Sequence, residues 1–216
     1  MGEFVTVSAF RTDDAGAVRD AAVEFFSAHA WSVRPVEGAE PVTDDDVLVH
    51  PATHGWTVVV WPGYFTELAA VADMSGRLGL LASTVRIHDG DYWSHTLMRD
   101  GVTLDRFATM PDYFTDDADE IARLRATYAG RPAVVASAIG CSQDLVAPYL
   151  IHIGLDEELG KAFPDDEFEL DSPWVFVDFW RRLGIRYPDG EPPADGPRLR
   201  LAPGWLGKLP TGDAEL

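Results

Sequence analysis

Residues 4–10 alternate apolar and small polar side chains and are rich in β-branched types, the period of two expected of a strand. Asp13 or Asp14 is placed to cap a helix in which Val18, Ala22, Phe25 and His29 share one face. Residues 31–36 predict a returning strand. A stretch rich in Pro, Gly and Asp then leads to Val47-Leu48-Val49-His50 and, past a loop, to residues 56–61. The run Thr57-Val58-Val59-Val60 has no polar face, as a strand covered on both sides requires. Pro62-Gly63 ends it, and Leu68, Val71, Ala72 and Ser75 mark the inward side of a helix over residues 66–78. From Leu81 the chain alternates to His88, turns, runs over 92–99, turns at Asp100-Gly101 and returns over 102–107, a three-strand meander. A two-residue Asp100-Gly101 turn would pair Leu97 with Leu104, His95 with Arg106 and Trp93 with Ala108.

Two β-then-α units feeding an antiparallel sheet predict an α+β region over residues 1–112 with helices on one face, a ferredoxin-like variant being the first choice. Met110-Pro111-Asp112-Tyr113-Phe114 breaks the strand pattern, and residues 113–187 read as a mainly helical region packed on the sheet. Thr115 with Asp116 and Asp117 opens a helix carrying Ile121, Leu124, Arg125 and Tyr128 on one side, stopped by Gly130 and Pro132. Residues 133–139 fit either a strand or a helix. Ser142 can cap a short helix that Pro148 kinks or shortens. Ser172-Pro173 begins a helix whose Phe176, Phe179, Trp180 and Leu183 recur at helical spacing, with Gly184 as its stop. Residues 188–216, dense in Pro and Gly, are expected to be loop or tail, with Trp205 and Leu206 as an apolar anchor.

Composition narrows the function. Thirty-six acidic against seventeen basic side chains give a formal charge of -19, so a phosphate backbone would be repelled and no nucleic-acid partner is expected. The acids cluster at 44–46, 116–120, 156–158 and 165–171, where they can steer a basic partner or simply face water beside helix N-termini. Arginine outnumbers lysine fifteen to two, a bias that suits a GC-rich bacterial genome. One cysteine rules out an internal disulfide. With no signal-like start and no membrane-length apolar run, a reducing cytoplasm is the expected compartment, with no membrane partner.

Chemical motifs are sparse. The stretch IHDGDYWSH, residues 87–95, sets two histidines and two aspartates close together, yet Asp89-Gly90-Asp91 has turn chemistry and reads as a turn with both aspartates in water. The metal alternative gathers His50, His54, His88 and Asp89 at one end of the sheet. Cys141, at a possible helix N-terminus with His152 as its base, is a weaker nucleophile candidate. No HExxH, CxxC, GxSxG or phosphate-cradling pattern occurs, and no cofactor is expected.

These features point first to an acidic protein-binding module, an immunity or inhibitor protein that occupies a basic surface such as that of a toxin. Immunity proteins share its size and charge, though no residue motif. The expected contact patch is Asp165, Asp166, Glu167, Phe168 and Glu169. The alternative is a small metal-dependent hydrolase built on His50, His54, His88 and Asp89.

Overall fold

A computed structural model describes residues 3–36, 40–154, 157–188 and 198–206. It is a mixed α/β structure around an eight-stranded antiparallel sheet. The strands are β1 (Val5–Phe10), β2 (Val33–Pro35), β3 (Asp46–Val49), β4 (Thr57–Val60), β5 (Leu81–His88), β6 (Tyr92–Arg99), β7 (Val102–Ala108) and β8 (Arg198–Leu201), in the order β2-β8-β3-β4-β1-β5-β6-β7. β1 sits between β4 and β5, with Val7 opposite both Val60 and Val85. Strand alternation then assigns two faces.

On one face Phe10, Val47, Val49, Val59, Ala82 and Met98 meet α1 (Ala15–Ala28) and α2 (Leu68–Leu78). α1 starts where the Asp14 carboxylate accepts from the Ala17 amide, and it buries Val18, Ala21, Ala22, Phe25 and Phe26 at helical spacing. On the other face Val7, Ala9, Val58, Val85, Trp93, Leu97 and Phe107 meet the C-terminal helical layer, α4 (Pro132–Ile139) and α5 (Phe176–Arg182), with the short 3-10 turns that precede α5. α3 (Ala118–Thr127) lies outside this layer and buries none of its residues. Helices therefore cover both faces. Trp93, Trp180, Phe107, Phe176 and Phe179 are fully buried, and enclosing each such side chain contributes roughly 1.5–3 kcal/mol before the ordering entropy is subtracted.

Turns in the meander follow their sequence. Asp89 and Gly90, like Asp100 and Gly101, all take positive φ, the backbone of tight hairpin connections. At Gly101 the requirement is also steric, because an added Cβ would lie 3.0 Å from the Ala72 carbonyl and 3.3 Å from Gly76 Cα on α2.

Three expectations change. Residues 198–201, read as part of a tail, form β8 and pair with both β2 and β3. Arg200 is fixed there by Asp46, a buried carboxylate 2.6 Å from its Nε, so an ion pair inserts the strand that the flanking prolines had masked. Trp205 is buried and donates to Asp45 at 2.8 Å, whereas Leu206 stays exposed; the tail beyond it lies outside the described residues. Finally, β7 bulges opposite Leu97 and Met98: Leu97 pairs with Asp105, His95 with Phe107 and Ser94 with Ala108, one residue out of step with the simple hairpin.

Candidate functional site

At one end of the sheet the β5–β6 turn carries His88, whose partner across the hairpin is Tyr92. The two rings stack with centroids 5.3 Å apart. Phe4, just ahead of β1, meets His88 edge-on at 4.9 Å, and Phe114, from the segment joining β7 to α3, meets it at 5.1 Å. Tyr113 packs on Tyr92 at 5.1 Å and on Phe114 at 4.9 Å, and Tyr64 tilts onto Phe4 at 4.8 Å. Four separate segments thus bring six rings together. Tyr92 is buried, but Phe114 is 65% exposed and Tyr64 48% exposed.

The backbone holds these rings outward. The Gly90 amide donates to the Glu3 carbonyl at 2.9 Å, tying the chain that bears Phe4 to the turn. Tyr64 occupies the left-handed region at φ +65°, a conformation unfavourable for a bulky side chain, directly before the buried Phe65. Strain of this kind, of order 1–3 kcal/mol, recurs where a side chain is held for function.

Charges of both signs flank the rings, the Arg86 guanidinium acting on His88 and Tyr92 from one side and two carboxylates from the turn. Asp89 and Asp91 are exposed at the turn, and the Tyr113 hydroxyl donates to Asp91 at 2.5 Å. That bond raises the Tyr113 pKa, and burial raises the Tyr92 pKa to about 12, so both phenols are neutral at physiological pH. Desolvation among the rings lowers the His88 pKa, against the pull of Asp89, and favours a neutral imidazole. A neutral aromatic platform with carboxylates on its rim suits an incoming guanidinium or ammonium through cation–π and ionic contacts.

The segment 165–171 is employed differently. Asp166 is buried and accepts from the Tyr149 hydroxyl at 2.8 Å, from Arg182 at 2.6 Å, from Arg181 at 3.0 Å and from the Phe163 amide at 2.9 Å. Asp165, though exposed, is held by Arg181 and Arg182, which keep its carboxyl well below the usual carboxylate range. Asp178 accepts from the Glu167 and Phe168 amides, and Phe168 packs on the core. Only Glu167 and Glu169 present exposed carboxylates for which no internal ion pair is seen among the described residues. The segment therefore serves as a brace onto α5, and Asp166 is inaccessible to a partner.

The four alternative metal ligands are not brought together. β1 runs with Val5 opposite Ile87 and Phe10 opposite Thr57, so His88 lies at the Phe4 end, while His50, whose amide donates to the Val58 carbonyl, lies toward the opposite end. His54 is in the β3–β4 connection at that same far end. Among the described residues no group of three His, Cys, Asp or Glu is arranged to hold a metal ion. Cys141 follows the left-handed Gly140 that ends α4 and precedes Ser142, which caps a 3-10 turn, and burial pushes the thiol pKa up. His152 bonds the Tyr128 carbonyl through Nε2 and stacks on Phe107.

His95, the last of the IHDGDYWSH histidines, is interior. Its Nε2 shares a 2.9 Å hydrogen bond with Ser83 Oγ, which also accepts from Trp180 Nε1, and burial lowers its pKa to about 3.

Sequence reasoning missed the convergence of Phe4, Tyr64, Tyr113 and Phe114. A signal existed: Tyr113 and Phe114 are adjacent aromatics in a stretch that was read only as a break between regions, and Tyr64 follows Pro62-Gly63. Compared with known protein-family models, curated proteins and solved structures, the chain matches none of them.

Proposed function

We propose that this chain is a protein-binding module whose aromatic surface around His88 receives a basic segment of a partner protein, as an immunity or inhibitor protein covers the positive surface of a toxin. The observation that carries the reading is the outward cluster of Phe114, Tyr64, Phe4 and Tyr113 beside Asp89 and Asp91. Aromatic anchors supply short-range binding energy, and the carboxylates, within a chain of charge -19, speed the encounter with a cationic surface. The 165–171 patch contributes at most long-range field, through Glu167 and Glu169.

The strand order β3-β4-β1-β5, with α1 and α2 on the same face, supports reading this half as a ferredoxin-like core extended by β2 and β8 on one side and by β6 and β7 on the other. A single cysteine suits a bacterial cytoplasm.

A photo-crosslinking residue placed at Phe114, with a control at the equally exposed Val102, tests the proposal in cells. The expected adduct joins position 114 to a peptide rich in Arg and Lys, and its yield falls as salt is raised. Adducts at 114 that are neutral or acidic, or yields no greater than at 102, overturn it.

A further inference from the structure

Four of the rings at the Phe4 end of the sheet follow one another in contact. Tyr64 meets Phe4, Phe4 meets His88 and His88 meets Phe114, at centroid steps of 4.8, 4.9 and 5.1 Å. The two end members, Tyr64 and Phe114, are the most exposed rings of the set. Alternate rings are therefore at most about 10 Å apart, close to the repeat of a polyproline II helix, about 9 Å for three residues.

The strands beneath these rings offer a partner no edge. β1 is paired on both sides by β4 and β5, β5 by β1 and β6, and β6 by β5 and β7. At the turn, the Gly90 amide already donates to the Glu3 carbonyl. An incoming segment cannot add a strand here, so ring faces and side-chain polar groups must supply the affinity. A polyproline II segment meets that condition: it has no internal hydrogen bonds, is extended before it binds, and lays residues three apart along one side. Its pyrrolidine rings pack on flat aromatic faces, and its carbonyls are free to accept. Tyr64, held outward at φ +65°, brings a hydroxyl that makes no hydrogen bond among the described residues.

The charges beside the row set the flanking residue. Asp89 and Asp91 are exposed at the turn and act on His88 together with Arg86, which donates to the Thr66 carbonyl. Two carboxylates at the turn against one arginine on β5 favour a cation on the turn side, and a guanidinium both stacks on rings and forks onto carboxylates.

We propose that the segment received by this surface is a proline-rich stretch in the polyproline II conformation with a flanking arginine. Prolines three residues apart lie along the rings from Tyr64 to Phe114, and the arginine meets Asp89 and Asp91. The inference rests on reading this surface as a protein-binding one and narrows the chemistry of the partner.

The test titrates the full chain with the synthetic peptide RPAAPAAPR, following backbone amide shifts. RAAAAAAAR, of equal charge without proline, and EPAAPAAPE, with the prolines and the opposite charge, are the controls. RPAAPAAPR is expected to shift residues 4, 64–65, 88–92 and 113–114, to bind about fivefold or more tighter than either control, and to lose a similar factor in F114A. Equal binding by RAAAAAAAR overturns the proposal and leaves a surface for basic segments of any conformation. Equal binding by EPAAPAAPE, shifts elsewhere, or undiminished binding by F114A also overturns it. Absence of binding by RPAAPAAPR overturns it too, while the crosslinking yield at Phe114 decides the wider reading separately.

Discussion

At 165–171 and at 88–92 the chain places aspartates next to aromatic rings, and the two regions end in opposite states. Asp165 and Asp166 are met by Arg181 and Arg182, one turn of α5 supplying both guanidiniums, and Arg182 also lies 4.4 Å over the Phe163 ring. Asp89 and Asp91 remain exposed, and the rings beside them stay partly uncovered. The denser acidic run is the less available one. Local acid content measures how much charge must be accommodated, and whether it faces solvent depends on what the fold sets against it.

The sharpest way to break this comparison is Asp166→Ala. Removing a fully buried carboxylate takes the acceptor from the Tyr149 hydroxyl and one of the partners from each of Arg181 and Arg182, which keep Asp165, and unfolding stability should fall by about 3 kcal/mol in a urea titration. An unchanged midpoint would mean that the 165–171 acids belong to the surface after all.

A second measurement separates the interior histidine from the exposed one. His95 has a folded pKa of about 3 against an ordinary 6.5, so between those values the unfolded chain takes up a proton that the folded chain refuses. Its contribution is therefore complete above pH 6.5 and lost as pH falls toward 3; on going from pH 7 to pH 5 the loss is on the order of 2 kcal/mol. Urea midpoints of wild type and His95→Phe across this range should differ in slope, the variant being flatter. Equal slopes would place His95 in water.

Phe114→Ala carries the third expectation, in the other region. At an exposed ring it should change stability by no more than about 0.5 kcal/mol, while affinity for the crosslinked partner drops about tenfold, roughly 1.4 kcal/mol. Loss of stability without loss of affinity would make the ring a structural cover. The smallest effect belongs to Asp165→Asn, whose ion pairs face solvent and are screened by it, so the urea midpoint should barely move; a loss as large as that of Asp166→Ala would erase the distinction between the two neighbours.

Legibility in the sequence followed the range of the interaction. α1 and the meander turns could be read because their information is local: Asp14 caps four residues from Val18, and Asp89-Gly90 and Asp100-Gly101 carry the positive φ their hairpins need. β8 could not, since Arg198-Leu199-Arg200-Leu201 becomes a strand through Asp46, which lies more than a hundred residues away. The bulge was hidden as well. Leu104 and Asp105 are adjacent, and the shift that sets Asp105 opposite Leu97 goes with its ion pair to Arg131, not with any pattern within β7.

By itself the sequence determined the two β-then-α units, the antiparallel meander, the helix starts at Asp13 or Asp14, at Thr115 to Asp117 and at Ser172, and the net negative field, because hydrophobic period, capping chemistry and charge count act within a few residues or over the whole molecule. Tertiary structure alone decided that Asp166 is enclosed while Asp89 is open, that His50 and His88 occupy opposite ends of the sheet, and that Phe4, Tyr64, Tyr113 and Phe114 converge. Those outcomes depend on strand order and register, which a linear pattern does not encode: a one-residue shift in pairing exchanges the two faces of a strand without changing a letter of the sequence.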